Sequence, residues 1–168
     1  MRLHTDFMKA AFTLIEMIIV MVIIATLALL LTGGYTNSLK TARDARRKSD
    51  LVNMQKALEM YYSDKRIYPV NNGAEVTSVL GNRFCENSPG ACGATQVYMQ
   101  TIPGDPLTNY RYWYVSPDGS YFKLYSCIEN LNVTGPGVNY SGPYAGTNCG
   151  SGCANGCRFG VASLNTSP

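Results

Sequence analysis

FTLIEMIIVMVIIATLALLL, residues 12–31, decides how the rest of this chain is read. Twenty residues at 1.5 Å each make a helix of about 30 Å, the thickness of a bilayer's hydrocarbon core. From Met17 to Leu31 only Thr26 interrupts the apolar character, so no polar stripe marks one side for water. A secretory signal would have a shorter apolar stretch, of roughly 7–15 residues, followed by a small-x-small cleavage site. Here helix-compatible sequence follows instead. The reading is a membrane-inserted helix. Glu16 stands out, because a carboxylate in such a segment is costly without a cation or terminal amine to pair with. No basic residue lies between Lys9 and Lys40.

Outward from this run the chain is made of two materials. All eight prolines lie at or beyond Pro69, and fourteen of the sixteen glycines lie beyond residue 70. The front is Pro-free. The back is rich in Gly, Pro, Tyr and Cys, and its roughly 100 residues are marginal for a stable core without staples. A formal charge of +3 in 168 residues, with 46% hydrophobic and 15% charged residues, excludes a large multidomain enzyme, a collagen-like or acidic disordered chain and a strongly cationic nucleic-acid binder.

Past Gly33-Gly34, a pair that weakens a helix locally without ending it, KTARDARRKSDLVNMQKALEMYY has helical character. Leu51, Met54, Leu58 and Tyr61 form one apolar stripe. Asp44–Lys48 and Arg46–Asp50 are opposite charges at i,i+4 spacing. The interleaved signs predict a solvated, salt-bridged helix face or an intersubunit surface; binding of nucleic acid by the basic patch is possible in principle but not indicated. A helix from Phe12 to about Tyr62 would be roughly 75 Å long. Pro69 predicts its end.

Residues 70–96 read as a loop-rich connection with one short helix, Ala74–Leu80, because Asn71-Asn72-Gly73, Ser88-Pro89-Gly90 and Cys92-Gly93 are turn signals. Tyr110–Val115 and Tyr121–Ile128 flank SPDGS and predict an aromatic hairpin. Its second arm is expected to be half-buried, with Phe122, Leu124, Ser126 and Ile128 on one face against the long helix. Arg158–Ala162 is a candidate third strand.

Cys85, Cys92, Cys127, Cys149, Cys153 and Cys157 make an even set. In a small exported domain this suggests disulfides, with fifteen formal pairings. A local Cys85–Cys92 bridge is the first expectation, with Cys127 tying its strand to the Gly-rich tail. Zinc is disfavoured, since CxxC spacing is missing and the sole histidine is His4. Flank charges, with Lys40, Arg43, Arg46, Arg47 and Lys48 after the run, would by themselves place the C-terminal side in the cytoplasm. Cysteine usage places it outside, and is given the greater weight. No catalytic constellation is visible, so the chain is read as a non-enzyme without cofactor or metal.

MKAAFTLIEMIIVMVIIATLALL resembles the class III signal of type IV pilins and type II secretion pseudopilins. The resemblance covers roughly residues 8–69. It implies a short leader, 1–11, cleaved by a membrane peptidase so that Phe12 becomes an N-methylated first residue. Ala11 is then the last leader residue, where the family usually has Gly. Glu16 would be the glutamate of the assembly signal, and Gly33-Gly34 the point where the helix loosens. The implied fold is α+β and pilin-like: a long N-terminal helix packed on a small antiparallel sheet with a disulfide-stapled C-terminal loop. The parts would be 12–31 (membrane and filament core), 32–68 (soluble half of the helix) and 69–168 (globular body).

The first functional expectation is a subunit of a type IV pilus-like filament, held in the cytoplasmic membrane with its body outside and later assembled into an extracellular filament. The implied partners are the lipid bilayer, other copies of itself, the prepilin peptidase, and an assembly platform with minor pilins. The alternative is the major pseudopilin of a type II secretion or competence system. A different class would be a monomeric membrane-anchored binding domain. The resembling secretion pseudopilins bind calcium in a C-terminal loop. Asp105 and Asp118 invite that reading, but no carboxylate cluster follows Asp118, so calcium is not expected.

Overall fold

A computed structural model describes residues 12–32, 34–88, 92–93 and 96–168. Ala11 and Gly33, two of the residues singled out above, lie outside the described residues. The chain divides at Ser38/Leu39 into two compact units.

The first unit contains helix α1, Leu14–Thr32. Among the described residues no helix is long and apolar enough to cross a membrane. The described side chains of α1 stop at Leu29, short of the end of the apolar run. Helix α2 is Tyr35–Lys65. Gly34 lies in a turn just ahead of α2. The Ser38 N–H and hydroxyl both donate to the Gly34 carbonyl, at 3.0 Å each, and start α2.

In the second unit α2 carries Leu51, Met54, Ala57 and Leu58 fully into the core, with Tyr61 packed beside them. The helix runs past Tyr62 to Lys65 and closes on Arg66, which adopts the left-handed conformation (φ 60°) and donates its N–H to Tyr62 O at 2.8 Å. Strand β1 (Asn71–Glu75), helix α3 (Val76–Leu80) and strands β2 (Phe84–Cys85), β3 (Val97–Met99), β4 (Trp113–Ser116), β5 (Lys123–Cys127) and β6 (Cys157–Ala162) follow. β1-β4-β5-β6 form one sheet and β2-β3 a second small one, with every pairing antiparallel.

Side chains alternate along β5, while a register shift between Ser126 and Cys127 sets Phe159 and Cys157 of β6, two residues apart, on opposite faces. Tyr114, Leu124 and Phe159 join the α2 stripe in the main core. Tyr125, Cys127 and Cys157 point the other way, into a second cluster with Cys149 and Cys153. β5 is therefore buried on both faces, not on one as its alternation suggested. Its outer side is covered by the Gly-rich tail, the irregular segment 128–156 between β5 and β6, which bonds to the chain ahead of β4: Arg111 N–H donates to Cys149 O and Gly152 N–H to Asn109 O, both at 3.0 Å.

Two further elements differ from expectation. Asn71–Glu75, read as a turn running into a helix at Ala74, is an edge strand paired with β4. Its Asn71 side chain accepts the Gly73 N–H at 2.8 Å, and the register shifts between Asn71 and Ala74, so local turn chemistry survives as an irregularity inside the strand. Helix α3 consequently starts at Val76 instead of Ala74.

The β4–β5 turn is seated against the exit of α2. Tyr68 N–H donates to Gly119 O at 2.9 Å, and Gly119 has φ +76°. A Cβ on Gly119 would lie 2.3 Å from Ile67 Cγ1 and 3.0 Å from Tyr68 O. Gly119→Ala is expected to cost about 1–2 kcal/mol from the left-handed backbone alone. Thermal unfolding followed by circular dichroism should show a Tm lower by several degrees; an unchanged Tm would contradict this seating.

Candidate functional site

Two arrangements set this molecule apart: an unsatisfied apolar helix and a satisfied buried charge cluster. Every side chain described in α1 is exposed, with Phe12 ahead of it at 72%. Leu14, Met17, Ile18, Met21, Val22 and Ala25 make one continuous apolar face. The polar groups of this region are turned inward on the helix itself. Thr13 Oγ1 accepts the Glu16 N–H at 3.3 Å, and Thr26 donates to Ile23 O at 2.8 Å. Glu16 lies in the first turn, where the helix dipole favours a carboxylate. Among the described residues it makes no ion pair. Glu16 is thus an exposed carboxylate on an otherwise apolar rod.

In the second unit, α2 presents Arg43, Asp44 and Arg47 to the body. The Arg47 side chain is 0% exposed. Its Nε and Nη2 grip Asp105 at 2.7 and 2.9 Å, while Nη1 donates to Asp44 at 2.8 Å and Glu129 at 2.7 Å. Arg43 takes Glu129 with Nε at 2.8 Å and Nη2 at 2.5 Å. Asp44 accepts the backbone N–H groups of Glu129 and Asn130, at 3.0 and 2.9 Å. The Tyr110 ring lies 4.9 Å from the Arg47 guanidinium, a cation–π stack.

Burial opposes the charge on Arg47. The hydrogen bonds that Arg47 donates to Asp105, Glu129 and Asp44, with the charge of Asp105, outweigh it and hold the pKa above the ordinary arginine value. Arg43, bonded to Glu129, is likewise raised. The same arginines hold the Glu129 carboxyl down to about 2, with the hydrogen bond from Arg43 as the largest cause. Nearby, Tyr112 donates to Asp50 at 2.8 Å; burial first and then Asp50 push its hydroxyl pKa up.

This cluster corrects the sequence reading of α2. Arg46–Asp50 is present at 3.8 Å, but Asp44 turns inward to Arg47 and the 129–130 backbone instead of pairing with Lys48. Arg43 and Arg47 belong to an internal lock, not to a solvated face. Asp105, singled out above for calcium, is consumed by Arg47 and the Leu107 N–H, while Asp118 accepts the Ser120 N–H and hydroxyl in its turn.

The six cysteines form Cys85–Cys92, Cys127–Cys153 and Cys149–Cys157. The last two join β5 and β6 to the tail, and Cys127 and Cys157 are themselves cross-strand partners.

An exposed apolar helix leading into a helix locked on a small antiparallel sheet is the architecture of a pilin-like protein. Residues 7–32 match the prokaryotic N-terminal methylation motif, and residues 34–141 match the family of type II secretion system (T2SS) protein G. The chain belongs to this protein G family. It is similar to the type II secretion system core protein G of Aeromonas hydrophila, with 30% identity over 121 residues, 69% of this chain and 78% of the relative. It is also similar to that of Escherichia coli K12, with 38% identity over 102 residues, 60% of this chain and 68% of the relative. The Vibrio cholerae counterpart is 28% identical over 109 residues, 65% and 72% of the two chains. No solved structure matches. The protein G match ends at residue 141, so β6 and the cysteines at 149, 153 and 157 lie beyond it.

The depressed Glu129 pKa fixes a pH dependence. The stabilisation from Glu129 is fully present above about 4.5, the ordinary value, and is lost as pH falls from there through about 2. Glu129→Gln should therefore lower Tm at pH 7 and flatten the acid limb of a Tm–pH curve below pH 4.5. Arg47→Met leaves three carboxylates without their central cation and should cost about 3–5 kcal/mol at neutral pH in urea unfolding. An Arg47→Met protein as stable as the parent would show that the cluster does not hold the body.

Proposed function

We propose that this protein is the major pseudopilin of a type II secretion system: a membrane-anchored structural subunit that polymerises through its N-terminal helix. The single observation that carries the reading is the pairing of a protein G body with an exposed, fully apolar α1 bearing one carboxylate, Glu16. The relatives' shared name favours secretion over the pilus subunit first expected from the sequence.

The mechanism is a transfer between two apolar surroundings. The run from Phe12 to Leu31 is inserted in the cytoplasmic membrane with the disulfide-bonded body outside. It leaves lipid for a bundle of like helices, where its surface is equally at home. Glu16 gives the transfer a preferred register, since its buried charge needs a cation. Cleavage after Ala11 supplies one, the N-methylated amine of Phe12 on a neighbouring copy. The peptidase, the assembly platform and the minor subunits are the partners this route requires. Gly33 and Gly34 give the chain its loosening point between the apolar segment and the body.

Two measurements test this. Intact-mass spectrometry of the membrane-extracted protein should give a chain beginning at N-methylated Phe12; a chain retaining Met1 as its terminus would contradict processing. Glu16→Ala should remain in the membrane fraction but drop out of sheared or cross-linked polymers by at least tenfold. Normal incorporation of Glu16→Ala would defeat the pairing role. Failure of the parent chain to support secretion in a protein G deletion, while forming surface pili, would favour the pilus reading.

A further inference from the structure

The end of the second unit where α2 enters it carries a rim of mixed apolar and cationic character. Leu39 is 39% exposed, Leu131 49% and Tyr140 58%. One hydrogen bond and two depressions that share Ile128 bring Leu131 and Tyr140 to the start of the helix in this unit, where Leu39 stands next to Lys40. Asn130 Nδ2 donates to Thr41 Oγ1 at 3.2 Å, which brings the loop after β5 against the start of the helix. Leu131, Tyr140 and Arg158 line one shallow depression with Ile128 and Asn130, and Lys40 lines the adjoining one with Ile128 and Glu129.

The polar end of Tyr140 is already satisfied: Gly135 N–H donates to its hydroxyl at 2.6 Å. Its ring is therefore held outward by the loop. The nearby carboxylates are committed elsewhere, Glu129 to Arg43 and Arg47, and Asp44 to Arg47 and the 129–130 backbone. Among the described residues Arg158 Nε donates to the Asn155 carbonyl, at 3.4 Å, and Arg158 makes no ion pair. The surface left over is two cations among two leucines and a fixed tyrosine ring.

We propose that this rim is a lipid-surface contact, with Leu39, Leu131 and the Tyr140 ring in the headgroup layer and Lys40 and Arg158 on anionic headgroup phosphates. The proposal rests on the membrane insertion of residues 12–31 stated above. Chain continuity supports it. A fully extended chain covers at most about 3.5 Å per residue, so the few residues from Thr32 to Leu39 keep Leu39 within about 25 Å of the end of the apolar run. Composition supports it independently: tyrosine rings and snorkelling Lys and Arg are the side chains that bilayer interfaces favour. Each cation near an anionic surface strengthens attachment by about fivefold. The contact would hold the subunit's body down on the membrane before assembly and be given up on entry into a polymer.

Tryptophan quenching by brominated lipids tests it on the full chain in vesicles of phosphatidylcholine alone or with about one third phosphatidylglycerol. Met21→Trp, Leu131→Trp, Tyr140→Trp and Val70→Trp are each read as the increment over the parent, whose sole tryptophan is Trp113. Met21→Trp should be quenched in both vesicles and Val70→Trp in neither. Leu131→Trp and Tyr140→Trp should be quenched at least twofold more in the anionic vesicles, and Lys40→Gln with Arg158→Gln should remove that difference. Quenching at position 21 with positions 131 and 140 no different from position 70 would overturn the lipid contact while leaving insertion intact. Quenching at 131 and 140 that ignores lipid charge would overturn the role of the two cations. An unquenched Met21→Trp would overturn insertion, and the rim contact with it.

Discussion

The body depends on the burial of one guanidinium. Arg47 is enclosed by Asp44, Asp105 and Glu129, and each of these carboxylates belongs to a different part of the chain. Apolar packing alone would let α2 slide along the sheet, because the Leu51–Leu58 stripe is attracted without direction. Arg47 adds direction. Its bidentate grip on Asp105 fixes the loop before β4, its bond to Glu129 fixes the end of β5, and Asp44 fastens the backbone where that strand stops. A buried ion pair is often no more stabilising than well-packed hydrophobic side chains. Its value here lies in register: a one-turn slip of α2 would take Arg47 away from Asp105 and Glu129, and Asp44 away from the 129–130 backbone.

The far end of α2 is held by a gentler version of the same device. Tyr68 donates to Glu59 at 2.8 Å while stacking on Tyr62 at 4.5 Å, and Tyr114 donates to the Pro69 carbonyl at 2.7 Å. Between the two anchors the core can be purely apolar. The outer face of the sheet has no helix to cover it. The tail does this without regular structure, so few backbone ladders hold it. Cys127–Cys153 and Cys149–Cys157 supply the missing restraint, closing loops of 26 and 8 residues. Disulfides of this kind contribute a few kcal/mol each, a large share of the stability of so small a body.

What could be read from the sequence follows from the range of the interactions. The α2 stripe is periodic over a few residues and appears where periodicity placed it; the aromatic hairpin forms as well, with strands Trp113–Ser116 and Lys123–Cys127 shorter than its predicted arms. Asp44, Arg43 and Arg47 are local in sequence but long-range in structure; their partners lie 58 to 86 residues away. Helical spacing made them look like a solvated charge ladder, because i,i+4 geometry carries no sign of what approaches from outside the helix. β1 was hidden differently. Asn71-Asn72-Gly73 has turn chemistry, and it is the pairing offered by β4, not intrinsic propensity, that makes it a strand. Burial of both faces of β5 was equally out of reach, since the tail that covers it has no periodicity to read.

The two units use opposite physics, and the contrast bears on assembly. The second is fixed by directional bonds with partners already in the chain. α1 has none to offer: Thr13 and Thr26 are satisfied on their own helix, and the rest of its described surface is aliphatic or methionine apart from Glu16. A helix of that kind gains little by exchanging lipid for like helices, because both surroundings solvate it equally well. Packing energy therefore cannot by itself define where one subunit stops along its neighbour. In the proposed polymer the register has to come from the single group that apolar surroundings penalise. Glu16 near the start of α1 meets that requirement, because moving it one turn from its cation would leave a charge unpaired in a dry interface. In that proposed polymer one carboxylate on the rod would do for subunit stacking what Arg47 does for the body, using a charge that no side chain in its own described surroundings satisfies.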